Sequence, residues 1–282
     1  MSGYTNSNDV CVYYDFFHLF YQSRTDIHGG FTIISLIEVE NLNFEYNSNF
    51  SLNDLSLTIK ENSIYALTGN NGSGKTTFLR LLVGLLKPKS GTIKIFNELL
   101  TRDKKQLWRL RQKIGFLFQN PDDQLFAPTI GEDVGFGARN LGLEESEVNK
   151  RVEWALEAVN LSQYAKSSPY DLSWGQKKRA ALAGLLVMKP KLLILDEPFA
   201  NLDFKSIYNH LQIFKTLKKE QKMTILFTTH NLFFIENWAD KMLVLNDGTA
   251  IFEGLPNDGL NHPKIKQLLG SYKELLTLIN QK

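Results

Sequence analysis

Cysteine is nearly absent from this chain: Cys11 stands alone, which excludes an internal disulfide framework and fits a reducing compartment. Long apolar runs are missing as well. Nothing approaches the roughly 20 consecutive apolar residues of a membrane span, and Ala180 to Met188 and Leu192 to Leu195 are core-sized. Neither sign of charge dominates, with 32 Lys and Arg against 30 Asp and Glu and a formal net charge of +2, so bulk charge does not argue for a nucleic-acid partner. Internal repeats and low-complexity tracts are lacking. The opening residues carry neither the positively charged start nor the small-residue cleavage site of a secretory signal, and a soluble, cytoplasmic protein is expected. What the chain does have is apolar mass: 43% of its 282 residues, enough for one large α/β domain or a core plus a subdomain.

Gly69-Asn70-Asn71-Gly72-Ser73-Gly74-Lys75-Thr76 fits G-x-x-x-x-G-K-[ST] in full. Ser63 to Thr68 reads as a short buried strand leading in, and Thr77 to Val83 as a helix leading out, with Gly84 near its end. That context turns a glycine-rich turn into an anion site. Backbone N–H groups curl around a phosphate, the new helix contributes its positive dipole end, and Lys75 adds a full charge. The Thr76 hydroxyl suits Mg²⁺. A nucleoside triphosphate, ATP with Mg²⁺, is the expected ligand of residues 69 to 77.

The first 36 residues differ from the rest. Val10 to Tyr21 is densely aromatic, with Asp15, His18 and Gln22 forming a narrow polar stripe if helical, and reads either as a segment that lies on a membrane surface or a partner, or as an accessory extension. Gly29-Gly30 marks a break. From Ile37 to about Pro256, apolar strands and amphipathic helices alternate, which implies βαβ units and a parallel sheet. Residues 257 to 282 read as a tail, with Ile265 to Leu278 as a terminal amphipathic helix.

Several apolar runs end in a residue suited to phosphate chemistry, where ligands of open α/β sheets sit. Ile114 to Phe118 ends at Gln119, Leu192 to Leu195 at Asp196-Glu197-Pro198, and Thr224 to Thr229 at His230. Singly, these are a helix-capping Asp, a surface Gln or a strand-end His. Beside a phosphate cradle they form a set. Transfer of a γ-phosphoryl group to water needs positioning and charge neutralisation. Thr76 would bind Mg²⁺ directly and Asp196 would hold it through water, while Gln119 offers an amide oxygen to the metal or to the attacking water. Glu197 is the candidate base, and His230 can donate toward the γ-phosphate.

Asp171-Leu172-Ser173-Trp174-Gly175-Gln176-Lys177-Lys178-Arg179 opens a helix that Pro190 closes, with Ser173 as its N-cap. By physics alone this is a capped helix with a basic start. The stretch resembles the L-S-G-G-Q signature of ATP-binding cassette (ABC) ATPases, and the other parts follow in that family's order, including Ala200-Asn201-Leu202-Asp203 after the acidic pair. The resemblance implies a P-loop NTPase cassette: a mainly parallel sheet, an antiparallel β region toward its N-terminus and a helical subdomain over about residues 121 to 186. It also implies that Tyr46 stacks on adenine, and that Ser173, Gly175 and Gln176, with Asp203, serve nucleotide held by a second ATPase subunit, identical or paralogous. Trp174 stands where the family has Gly, and Ser173 and Gly175 are kept.

Asn120 to Gly137, with Asp122-Asp123-Gln124-Leu125-Phe126 at its start, resembles the ATPases of energy-coupling factor (ECF) importers of metal ions and vitamins. That resemblance implies integral membrane subunits docking near Asp122 to Phe126, at the cytoplasmic face of the membrane. The alternatives are the ATPase of another ABC transporter, or a soluble ABC ATPase acting on nucleic acid or ribosomes, which would carry a coiled-coil insertion or a second cassette. No nucleic-acid partner is expected.

Overall fold

Two sheets carry residues 35–46 and 50–270, the part of the chain described in this computed structural model. The aromatic stretch Val10 to Tyr21 and the end of the expected C-terminal helix, residues 271–282, lie outside it. The first sheet is antiparallel, built from β1 (Ser35–Tyr46), β2 (Phe50–Lys60), β4 (Ser90–Ile95) and β5 (Glu98–Leu99) in the order β2-β1-β4-β5. Its first strand begins two residues inside the segment assigned to the N-terminal extension. Leu36 and Ile37 are buried there, so the apolar pattern starts a little earlier than its alternation suggests.

The second sheet contains β3 (Ile64–Thr68), β6 (Ile114–Leu117), β7 (Leu192–Leu195), β8 (Thr224–Thr228), β9 (Lys241–Asn246) and β10 (Thr249–Gly254), in the order β10-β9-β3-β8-β7-β6. All its pairings are parallel except β9 with β10. Every residue of β3, β7 and β8 is buried, as expected of parallel strands covered on both faces, which read as near-continuous apolar runs. Helix α1 (Lys75–Leu82) buries Phe78, Leu79, Leu81 and Leu82 in the core that both sheets share.

After α2 (Lys104–Lys113), which Asp103 caps by accepting from the Gln106 amide, the chain enters β6. Between β6 and β7 it forms only helices and turns: α3 (Ile130–Asn140), α4 (Glu145–Ala158) and α5 (Trp174–Leu186), packed on one another. Ser173 caps α5 in a reciprocal box with Gln176, the arrangement that satisfies two otherwise unpaired N–H groups. Helix α6 (Phe204–Gln221), capped by Asp203, and α7 (Leu232–Trp238) complete the core, followed by α8 (Pro256–Asn261) and α9 (Pro263–Leu269). The expected terminal helix, Ile265 to Leu278, starts two residues early as α9 at Pro263, and α9 ends at Leu269, where Gly270 takes a left-handed backbone, φ +77°.

One buried group makes the fold sensitive to acid. His210 of α6 is fully buried, with Nδ1 2.8 Å from the Ser206 carbonyl oxygen. Burial first, then the charges of Arg179 and Lys178, pull its pKa from the ordinary 6.5 down to about 4. The folded state therefore holds the neutral ring. The associated stability is complete above the unfolded-state value and is lost as pH falls from 6.5 through 4. Thermal melting between pH 7 and pH 4.5 is expected to show a loss of up to about 3 kcal/mol from this group. In His210→Gln that part of the acid slope disappears; an unchanged slope refutes the assignment.

Candidate nucleotide site

Because β3, β8, β7 and β6 are parallel neighbours, their carboxyl ends open onto one edge of the sheet, where a cleft of about 530 Å³ lies. The cradle forms its floor. Asn71, Gly72, Gly74 and the first turn of α1, Lys75 to Thr77, line it. Helix α1 begins at Lys75 and not at Thr77, since the Phe78 amide already reaches the Gly74 carbonyl at 2.8 Å; this puts the lysine and the threonine in its first turn. The Lys75 ammonium donates to the Gly69 and Asn70 carbonyls, each at 2.9 Å, so those two residues shape the loop through their carbonyl oxygens. Burial lowers the Lys75 pKa against the opposing pull of Glu197 and Asp196. The Ser73 side chain is buried under the loop.

The acidic pair sits opposite. Asp196 accepts from Thr76 Oγ1 at 3.0 Å and from Thr228 Oγ1 at 2.7 Å. The same Thr228 hydroxyl oxygen accepts from the Glu197 amide at 2.7 Å. One hydroxyl at the end of β8 thus fixes the aspartate and the residue after it. Sequence reading missed Thr228, whose only signal was a polar residue ending an apolar strand. Glu197 adopts a left-handed backbone, φ +46°, uncommon for a residue with a side chain and a mark of over-determined geometry. Burial, helped by neighbouring Asp196, pushes its carboxyl up to about 7 against Lys75 and Lys178. Its Oε1 is buried and has no hydrogen-bond partner among the described residues. His230 Nε2 lies 3.5 Å from it, and burial together with Lys75 lowers the His230 pKa. Gln119 and Tyr46 close the cleft; Tyr46 is 39% exposed and stands edge-on to Phe44 at 4.6 Å.

A model of the family described as "ABC transporter" matches residues 52–200. The energy-coupling factor transporter ATP-binding protein EcfA of Methanosphaera stadtmanae is 43% identical over 221 residues, covering 78% of this chain and 79% of its own. The EcfA of Carboxydothermus hydrogenoformans is 40% identical over 248 residues, covering 84% and 91%. The chain belongs to the ABC transporter family. Among solved structures, cbiO1 from Clostridium perfringens, part of the ABC transporter complex cbiONQ, superposes with a TM-score of 0.75 at 36% identity over 83% of this chain and 93% of its own. The cassette MJ0796, in a dimeric post-hydrolysis state bound to ADP and Pi, does so at 0.70 and 28% over 78% and 98%. The fold is that of an ABC cassette, and the chain is an ABC-type ATPase.

Four expected nucleotide contacts of this ABC ATPase lie apart from the cleft of their own chain. Ser173 and Gln176 are engaged with each other at the start of α5, where the Ser173 amide donates to Gln176 Oε1 at 2.8 Å. Asp203 accepts from the Ser206 amide at 2.7 Å. Gly175 is buried against α6: a Cβ there would stand 2.5 Å from Ser206 Oγ and 3.0 Å from Ser206 Cβ, so a larger residue would require the Ser206 side chain to move. The indole nitrogen of Trp174 is buried within its own chain.

A second cleft, about 320 Å³, lies on the helical side, lined by Phe126, Trp108, Phe136, Gly184 and Met188 among others. Phe126 is 66% exposed and meets Phe136 edge-on at 4.9 Å. Asp133 holds the Phe126 and Ala127 amides at 2.7 and 2.8 Å. Asp122 pairs with Lys177 at 2.7 Å and Asp123 lies beside Asn120, both outside the lining of this cleft.

No helix among the described residues is long and apolar enough to cross a membrane.

Proposed function

We propose that this chain is the Mg²⁺-dependent ATPase of an ECF-type importer that takes up a micronutrient, a metal ion or a vitamin. It works at the cytoplasmic face of the membrane as one of two cassettes. The observation that carries this reading is the convergence of Lys75, Thr76, Gln119, Asp196, Glu197 and His230 on one cleft. The EcfA relatives and the aromatic groove support the coupling to transport.

The donor set around Thr76 is all oxygen: a hydroxyl, the Asp196 carboxylate within hydrogen-bonding distance of it, and the Gln119 amide. That chemistry suits a hard divalent cation. These residues would hold Mg²⁺, which when bound neutralises charge on the β- and γ-phosphate oxygens. The protein's own groups do the rest. The cradle amides and Lys75 fix the β- and γ-phosphates, and Tyr46 offers a face for adenine. Glu197 takes a proton from the attacking water as its oxygen bonds to the γ-phosphorus, and ADP leaves with the electrons of the broken P–O bond. His230 donates to a γ-phosphate oxygen. A carboxyl with a pKa near 7 is matched to accepting that proton at neutral pH. Ser173, Gly175 and Gln176 are free of their own chain's cleft and serve the nucleotide on a second cassette.

The test separates hydrolysis from coupling. Trp108→Ala with Phe126→Ala strips two aromatic anchors from the groove. Basal ATP hydrolysis by the free subunit is expected to stay within about twofold, since neither residue lines the nucleotide cleft. Capture of the membrane subunits should fall by about tenfold or more, as for hot-spot aromatics, and uptake by the reconstituted importer with it. Normal capture and uptake by the double variant would refute the coupling role of this groove.

A further inference from the structure

Lys178 has no place in the nucleotide cleft, yet it is the most unusual charge in the molecule. It lies in the second turn of α5 and is fully buried. Its ammonium donates to three main-chain carbonyls: Glu197 at 2.9 Å, Pro198 at 3.3 Å and Ala200 at 3.0 Å. An ammonium has three protons, and all three are used. The acceptors belong to one short turn, the one that leaves β7 and aims the Glu197 side chain into the cleft. Left-handed Glu197 strains that turn, which is otherwise tied down by Thr228 under the Glu197 amide and by the Ala200 amide to the Glu197 carbonyl at 3.1 Å. A buried cation costs a great deal to desolvate, and burial lowers its pKa to about 8, so carbonyls at these distances are needed to keep it.

The neighbouring lysine makes a matching link. Lys177 pairs with Asp122, three residues beyond Gln119. Gln124, in the same loop, accepts from the Phe118 amide at 3.2 Å and donates to the Ala181 carbonyl of α5 at 3.4 Å. The start of α5, which carries Ser173 and Gly175, is therefore fastened to both strand-end turns that present Gln119 and Glu197.

We propose that Lys178 is a positioning residue that makes the start of α5 and the Glu197–Ala200 turn one body, so that engagement of Ser173 by nucleotide on a second cassette sets the orientation of Glu197. The proposal rests on the dimeric reading above and adds to it how one site senses the other. In a chain without the strut, the cradle still binds ATP, but the base is no longer held when the second cassette docks.

The experiment compares the parent chain with Lys178→Gln, which loses the charge and one of the three donors, and with Lys178→Arg, which keeps the charge. Nucleotide affinity is read with a fluorescent ATP analogue, turnover by phosphate release, and dimer formation with a non-hydrolysable analogue by light scattering. In Lys178→Gln, kcat is expected to fall about 100-fold, as for ångström-scale misplacement of a reacting group, with KM and analogue affinity within about threefold. Lys178→Arg should recover most of kcat. A purely structural lysine would lower melting temperature and active fraction without this split between kcat and KM. Hydrogen exchange on the parent chain tests the link without any variant: analogue-driven dimerisation should protect the amides of residues 197–203 together with those of 174–178. Parental kcat in a folded Lys178→Gln, or protection of 174–178 without 197–203, overturns the role of Lys178. A parent that stays monomeric with the analogue overturns the dimeric reading and this inference together.

Discussion

Glu197→Gln is expected to lower ATP turnover by about 10²–10⁴-fold, the usual cost of losing a general base, with ATP affinity within about threefold of the parent. The substitution is nearly isosteric, and the backbone that presents residue 197 is held by Thr228 and Lys178 through main-chain atoms. The shape of the cleft therefore survives, and only the capacity to take a proton is lost. Phosphate release measures the first quantity and equilibrium titration with a fluorescent analogue the second. Lys75→Ala should instead weaken binding of ATP itself, since its ammonium organises the cradle through Gly69 and Asn70. The Glu197 change also carries a stability signature. The folded carboxyl titrates at about 7, above its ordinary 4.5, so the fold favours the protonated form. The parent loses that stability as pH rises from 4.5 through 7, whereas the Gln variant does not. The variant should melt higher than the parent at pH 8 and level with it near pH 5. Undiminished turnover by the Gln variant would remove Glu197 from the mechanism.

Gly69→Ala should be among the most damaging single substitutions in the chain. Gly69 has φ +143°, a backbone that residues with a side chain rarely adopt, and a Cβ there would stand 1.9 Å from the Leu245 carbonyl oxygen. That oxygen belongs to β9, which pairs with β3 at the centre of the sheet, Thr68 opposite Val244. Neither partner can yield by rotating a side chain. Relief requires moving β9 off β3 or lifting the cradle out of register with α1. A loss of about 4 kcal/mol or more is expected, at the extreme of single substitutions, with ATP affinity down by about 100-fold or more in whatever folds. Gly72→Ala is the control. Gly72 is also left-handed, φ +79°, but a Cβ there meets nothing within 4 Å, so only the backbone strain of about 1–2 kcal/mol remains. Equal melting temperatures for the two variants would show that the contact with Leu245 does not matter.

The parts of this protein that were legible in the sequence are those whose chemistry is local. A phosphate cradle needs glycines and a helix start within one short stretch. Residues 69 to 77 carry that information themselves, and β3 and α1 stand on either side of them. Apolar runs ending in Gln119, Asp196 and His230 were readable for the same reason, because parallel strands buried on both faces are almost entirely apolar, with no charged residue until they emerge. The alternation of strands and helices implied the parallel sheet, whereas the antiparallel region came only with the resemblance to the family.

Tertiary structure alone decided what joins those parts. Thr228 touches Asp196 only because β8 lies beside β7, and nothing within residues 224 to 228 distinguishes that hydroxyl from an ordinary strand threonine. Lys178 looked like one charge in the basic start of a helix, which would normally be solvated; packing of α5 over the end of β7 buried it and supplied three carbonyls. Asp122 was equally ambiguous, and only packing showed that it ties the loop after Gln119 to Lys177 at the start of α5. In each case the deciding contact joins residues tens of positions apart. A sequence states which groups are available and the local backbone they favour. Which of them meet depends on strand order and helix packing, and these are set by burial of the whole core rather than by the residues that meet.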